Sequence, residues 1–304
     1  MWRTLIKSFL SFLFICFASL PVLAQDGARE PATWVTADKL APAEHNFPRP
    51  PNAVRLTESF LSSPVALNPF QPEHNLSSPI LPLLSDPDDF TLLGYRIPPN
   101  TATRLAWVPS KFFTGLDVKT PVLVVNGATR GETLCLTAAV HGDELNGIEM
   151  VRRVMFGLDP ARLRGTVIGV PIVNLMAFSR NSRYLPDRRD LNRYFPGNPQ
   201  GSLASRFAHA FFHEIILNCD ALVDIHTGSF HRTNLMQLRA DLATQGVVEL
   251  ARGFGDIVVL NSKGNPNSLR HASVLAGIPA VTIEAGEPLR MQKELVQDGG
   301  DALT

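Results

Sequence analysis

Three apolar runs in this chain end in groups that can ligate a metal or move a proton. Residues 133–140 lead into His141-Gly142-Asp143-Glu144, residues 221–225 into His226-Thr227-Gly228, and residues 280–283 into Glu284-Ala285-Gly286. Zinc accepts neutral imidazole and carboxylate, and its catalytic sites use three protein ligands with a fourth position left to water. His141 and Glu144, three apart at a strand-to-helix turn, can point at a single ion. His226, arriving from another strand, completes a two-histidine, one-glutamate set. Ligand type favours zinc, but other divalent ions suit the same groups. A hydrogen-bonded polar cluster without metal is the alternative that residue types leave open.

These groups can act together only if the chain brings the three run ends to one edge. From residue 90 onward, apolar runs alternate with helical patterns. Strands are predicted over 90–96, 103–108, 121–126, 133–140, 166–173, 221–226, 235–239, 257–260 and 280–284. Helices are predicted over 146–158, 202–217, 242–254 and 268–275, a further helix begins over 292–298 and is ended by Gly299-Gly300, and a long irregular stretch covers 174–200. Near-continuous apolar runs suit strands buried on both faces. Their alternation with helices predicts an α/β fold, a mainly parallel (mixed) sheet with helices on both faces. In such sheets functional residues collect beyond the carboxyl ends of the strands.

The first 24 residues read as a secretory signal peptide, with Arg3 and Lys7, a short apolar run over 8–20, and Val22-Leu23-Ala24 as the cleavage pattern. Cleavage after Ala24 predicts an exported, periplasmic protein with no stable membrane insertion once the leader is gone. Gln25, rather than a cysteine, follows the cut, which argues against a lipoprotein. Residues 25–89 are crowded with proline, which excludes long helices and central strands, and read as an N-terminal arm ahead of a hydrolase domain over 90–304. The formal net charge is zero and hydrophobic residues make up 45%. A sizeable core is expected, and no bulk charge points to nucleic acid. Cys16 leaves with the leader. Cys135 and Cys219 are expected as two buried thiols, although export permits a disulfide.

The segments 137–149, Asp190-Leu191-Asn192-Arg193, Asp224-Ile225-His226-Thr227-Gly228 and Thr282-Ile283-Glu284-Ala285-Gly286 resemble the succinylglutamate desuccinylase/aspartoacylase family, which belongs with the zinc carboxypeptidases. The resemblance spans about residues 90 to 290. It implies one zinc ion on His141, Glu144 and His226, with Glu284 as the catalytic carboxylate and Glu287 as its rival. It implies that Asn192 and Arg193 hold a substrate carboxylate, for which the planar guanidinium fork is suited. Asp190 would orient His141, and Arg183, with Arg180 as rival, would stabilise the oxyanion. Arg270 is a candidate to grip a second acidic group or the acyl end. Family members continue into a β-rich C-terminal portion that walls the active site, whereas this chain stops at Thr304, soon after Glu284, so that portion is expected to be missing.

Three readings follow: an amidohydrolase acting on an N-acyl amino acid or small peptide with a free carboxylate, a carboxypeptidase of cell-wall or other short peptides, and a zinc-binding relative impaired in catalysis. His209 and His213, four apart on one helix, read as a surface pair, and His231 as a loop residue. The chain has no GxSxG elbow, P-loop or GxGxxG segment. Oligomeric state is not encoded in any of these features.

Overall fold

The computed structural model describes residues 34–36, 39, 89–109 and 119–303. The expected leader and nearly all of the proline-rich arm lie outside the described residues. A nine-stranded mixed sheet forms from β1 (Trp34–Thr36), β4 (Thr101–Trp107), β5 (Thr120–Asn126), β6 (Thr129–Ala138), β7 (Arg164–Val170), β8 (Ala221–His226), β9 (Asn234–Ala240), β10 (Val258–Asn261) and β11 (Ala280–Gly286). Their spatial order is β1-β4-β5-β7-β6-β8-β11-β9-β10. The central ladders β7–β6, β6–β8 and β8–β11 are parallel, while β4–β5, β5–β7 and β11–β9 are antiparallel.

Successive side chains on a strand point to opposite faces, and the core divides accordingly. Cys135, Leu222 and Ala280 belong to one apolar cluster with Phe207 and Phe211 of α3 (Leu203–Glu214) and Leu269 and Ala272 of α5 (Leu269–Leu275). Leu136, Val223 and Val281 belong to the other, with Met150 and Val154 of α1 (Asn146–Gly157), Val247 of α4 (Gln245–Arg252) and Val296 of α6 (Lys293–Ala302). The same alternation places Thr137, Asp224, His226, Thr282 and Glu284 on the α3/α5 side. The strand ends that carry chemistry therefore open on one face.

Four local readings change. The strand expected over 90–96 is a hairpin of β2 (Phe90–Leu92) and β3 (Tyr95–Ile97). Leu93 and Gly94, with φ of 52° and 78°, form the two-residue turn that such a hairpin requires. The strand expected over 133–140 ends at Ala138, because Ala139 adopts φ 49°. The irregular 174–200 stretch contains a short helix, α2 (Leu175–Phe178), and a 3-10 turn, Leu191–Arg193. The C-terminal helix, expected to stop at Gly299-Gly300, runs through both. Gly299 is buried there, and a Cβ would run into Met150, so the missing side chain lets α6 lie close on α1.

Cys135 and Cys219 form a disulfide rather than two thiols, with Cα atoms 5.8 Å apart. Cys135 lies in β6, and Cys219 just precedes β8, which pairs with β6 in register Cys135↔Leu222. Only that pairing brings together sulfurs separated by 84 residues in sequence. Among the described residues no helix is long and apolar enough to cross a membrane.

Candidate metal centre and active site

The turn after β6 is pinned from the neighbouring connection. Val173 and Asn174 donate their backbone N–H groups to Ala138 and Ala139, and Asn174 Nδ2 donates to the Val140 carbonyl at 3.2 Å. Asn174 also caps α2, accepting from the Ala177 N–H. A Cβ at residue 142 would strike the backbone of Ala177 and Phe178, so the glycine between His141 and Asp143 is what lets the turn pass so close. The backbone N–H of Glu144 then donates to the His141 carbonyl, and α1 begins two residues later.

This geometry converges His141, Glu144 and His226, all buried. His141 Nδ1 lies 2.9 Å from Glu144 Oε1, His226 Nδ1 lies 2.8 Å from Glu144 Oε2, and the two Nδ1 atoms are 3.2 Å apart. One donor atom from each residue falls within 4.8 Å of the others. The outward ring nitrogens are held by carboxylates: His141 Nε2 by Asp190 Oδ1 at 3.0 Å, and His226 Nε2 by Asp224 Oδ2 at 2.7 Å. Asp224 is itself fixed by Thr137 Oγ1, its register partner across β6–β8, at 2.8 Å. Asp190 accepts from the Asn192 N–H at 2.9 Å. Imidazoles oriented by carboxylates are the usual support of metal-ligating histidines.

Charge makes the same case. Burial disfavours charge on both rings, yet Glu144 and Asp190 raise His141 above its ordinary value, and Asp224 and Glu144 raise His226 well above it. Burial would push the Glu144 carboxyl up, but the two imidazoles hold it far below the usual carboxylate range. Asp190 behaves alike, with His141 and Arg183 outweighing its burial. Three carboxylates thus surround two imidazoles, and Arg183 reaches two of those carboxylates, Glu144 and Asp190. Donor type, convergence and the demand for further positive charge fit a divalent cation.

Arg183 reaches the centre from the arginine-rich stretch. Its Nη1 donates to Glu144 Oε1 at 3.0 Å and Ser229 Oγ at 2.9 Å and lies 3.1 Å from His141 Nδ1, while Nη2 donates to Asp190 Oδ2 at 3.0 Å. Phe230, with φ 55°, places its ring 5.8 Å from the guanidinium carbon. Arg180 is exposed and lies away from the cavity lining.

Next to this centre is a cavity of about 230 Å³, lined by the three candidate ligands together with Arg183, Asn192, Arg193, Arg239, Arg270 and Glu284 among others. Glu284 aligns with His226 across the parallel β11–β8 ladder. Its Oε2 accepts from Asn234 Nδ2 at 2.8 Å, and its Oε1 lies 3.4 Å from Arg239 Nε. Glu287 is engaged elsewhere, by Thr233 and Arg290. Asn192 Oδ1 accepts from the Leu269 N–H at 2.7 Å, tying the 3-10 turn to the start of α5, so the amide's two N–H donors are what it can offer a ligand. Exposed Arg193 donates Nη1 to the Asn192 carbonyl at 2.8 Å. Arg270 is buried, with Nη1 on the Ser262 carbonyl at 2.7 Å, and burial together with nearby Arg239 lowers its pKa. The structure therefore brings the sequence-derived site residues, apart from the rivals Arg180 and Glu287, to the donor set or its cavity, with Asp190 standing directly behind His141.

Sequence reasoning passed over Asp224, Asn234 and Arg239. Asp224 carried a usable signal, because alternate strand residues share a face and an Asp-x-His strand end sets a carboxylate beside the ring. Asn234 and Arg239 carried none, since they meet Glu284 only through the β9–β11 pairing. His209 and His213 have ring centroids 4.1 Å apart with the rings tilted by 48°, and neither enters a candidate metal group among the described residues. His231 sits in a loop with φ 62° and does not line the cavity.

Fold and site together define an α/β domain with a candidate metal centre at the carboxyl ends of its strands. The chain belongs to the succinylglutamate desuccinylase/aspartoacylase family, the model of whose catalytic domain matches residues 130–302. It is 32% identical over 159 residues to the N-alpha-acetyl-L-2,4-diaminobutyric acid deacetylase of Halomonas elongata, covering 52% of this chain and 44% of that protein. The chain thus spans less than half the length of this curated relative. Among solved structures it is similar to a succinylglutamate desuccinylase/aspartoacylase from Rhodobacter sphaeroides, at 28% identity and TM-score 0.57, covering 66% of this chain and 63% of that one. It is also similar to the product-bound ectoine utilization protein EutE (DoeB) from Ruegeria pomeroyi, at 25% identity and TM-score 0.60, covering 68% and 67%. The names of these relatives, a deacetylase and a desuccinylase/aspartoacylase, describe removal of acyl groups.

Proposed function

We propose that the chain is an exported zinc amidohydrolase that removes the acyl group from an N-acyl amino acid or small peptide bearing a free carboxylate. The observation that carries this reading is that the His141–Glu144–His226 donor set and Glu284 line one small cavity. Zinc held by those donors would make water a nucleophile near neutral pH and polarise the scissile carbonyl. Glu284 takes the proton of the attacking water and returns it to the departing amine. Arg183 directs N–H donors toward the charge that develops on the carbonyl oxygen. Asn192 and Arg193 hold the substrate carboxylate, and Arg270 grips a second acidic group or the acyl end. The cavity lies below the ~300–1,000 Å³ usual for ligand pockets, which favours a small substrate.

The leader pattern over 1–24 supports export, and so does the Cys135–Cys219 disulfide, a bond that persists in oxidising compartments. The N-terminal residue of the mature protein tests export; an intact Met1 would refute it.

Activity is tested by metal analysis alongside hydrolysis of N-acyl amino acids and dipeptides, with and without chelator. Expected are one zinc per chain and chelator-sensitive release of a free amine. The variant Glu284→Gln should keep the metal and lose roughly 10²- to 10⁴-fold in kcat. Undiminished turnover by that variant would sink the proposed mechanism. Release of a C-terminal amino acid from dipeptides alone would favour the carboxypeptidase reading.

A further inference from the structure

Strand β9 contains none of the family's motif residues, yet it borders the carboxylate on which the proposed chemistry depends. It runs antiparallel to β11 with Thr282 opposite Arg239 and Glu284 opposite Gln237. Continued regularly, that ladder would set Gly286 against Leu235. Instead Gly286 pairs with Asn234, the register shifting between Glu284 and Gly286, so β9 carries one extra residue. A bulge of this kind re-aims side chains, and bulges are enriched beside active sites. Here Asn234 turns to Glu284 and donates to Oε2 at 2.8 Å, while Leu235 is left 86% exposed. Arg239, a diagonal cross-strand neighbour, sends its guanidinium along the same face. Its Nε is buried without a hydrogen bond among the described residues and lies 3.4 Å from Glu284 Oε1.

We infer that Asn234 and Arg239 are positioning residues for Glu284, a reading that rests on the proposed amidohydrolase function. Asn234 clamps Oε2. Arg239 sets positive charge beside Oε1 without a short hydrogen bond, leaving that oxygen to accept the proton of water. The direction of the base is thereby decided by β9, an element the metal centre does not touch. The rival role for Arg239 is direct contact with substrate, together with Arg270.

The test uses the full zinc-loaded chain and whichever N-acetyl-L-amino acid it turns over fastest. Asn234→Ala and Arg239→Met should each lower kcat by roughly 10- to 100-fold, as misplacement of a catalytic group does, with KM within about threefold and metal content unchanged. Arg239→Lys should recover part of the loss. Should Asn234→Ala fail to fold, isosteric Asn234→Asp serves, and its charge against Glu284 should cost at least as much. In a Glu284→Gln background, adding Arg239→Met should leave the calorimetric Kd of the same compound unchanged, because no base remains to position. An unaltered kcat, a rise confined to KM, or a weakened Kd in that background would overturn the inference. If the zinc-loaded wild type hydrolyses nothing, the amidohydrolase reading falls and carries this one with it.

Discussion

The two walls of the cavity are built differently. On the metal wall, His141 and Glu144 are each 2% exposed and His226 4%, and every donor atom already has a partner. Both imidazoles are backed by carboxylates, and one of those carboxylates is fixed by a threonine on the next strand. On the substrate wall, Arg193 is exposed and Asn192 retains amide donors. The contrast follows from task. A metal site gains from being closed and preorganised, whereas a substrate site must hold donors in reserve, since a buried donor already satisfied adds little to binding.

The sharpest way to break the comparison is to remove a metal ligand. His226→Ala should abolish both metal retention and turnover; residual zinc at full stoichiometry would show that the donor set is misassigned. Next comes the brace behind that wall. The disulfide links β6 and the lead-in to β8, the two strands that deliver the imidazoles, and closes a long loop. Replacing Cys135 and Cys219 by serine should cost about 4.5 kcal/mol, on loop-closure entropy, measured by urea unfolding of the non-reduced protein. An unchanged midpoint would remove the brace from the account.

Protons compete with metal for the donors. Because Glu144 with Asp190, and Asp224 with Glu144, raise the two metal-free imidazoles, zinc affinity should weaken as pH falls, beginning above the ordinary histidine value. Where both rings must shed a proton, the loss approaches about a hundredfold per pH unit. A flat affinity between pH 8 and 5, read by competition with a chelator of known affinity, would contradict this sign. Asp224→Asn should lower metal affinity by about 10- to 100-fold, as loss of a supporting carboxylate does, while leaving KM alone. The smallest effect belongs to the substrate wall. Arg193→Met should raise KM by roughly 10-fold, the worth of a charged hydrogen bond, with zinc content untouched. A fall in zinc would mean that the two walls are not separable.

The amino-acid sequence alone determined the parts of this protein whose signals are local. Largely apolar runs leading to His141, His226 and Glu284 announced parallel strands and their functional ends, because a strand buried on both faces must be mostly apolar. Gly142 and the HxxE spacing announced the turn. What only the tertiary structure decided depends on contacts between segments far apart. Cys135 meets Cys219 because β6 pairs with β8, and α6 passes through Gly299 because Met150 lies beneath it. Asn234 reaches Glu284 because β9 returns antiparallel with one residue to spare. Strand order and register are properties of the assembled sheet, set by how helices cover its two faces, and no residue pattern within β9 records which strand will lie beside it.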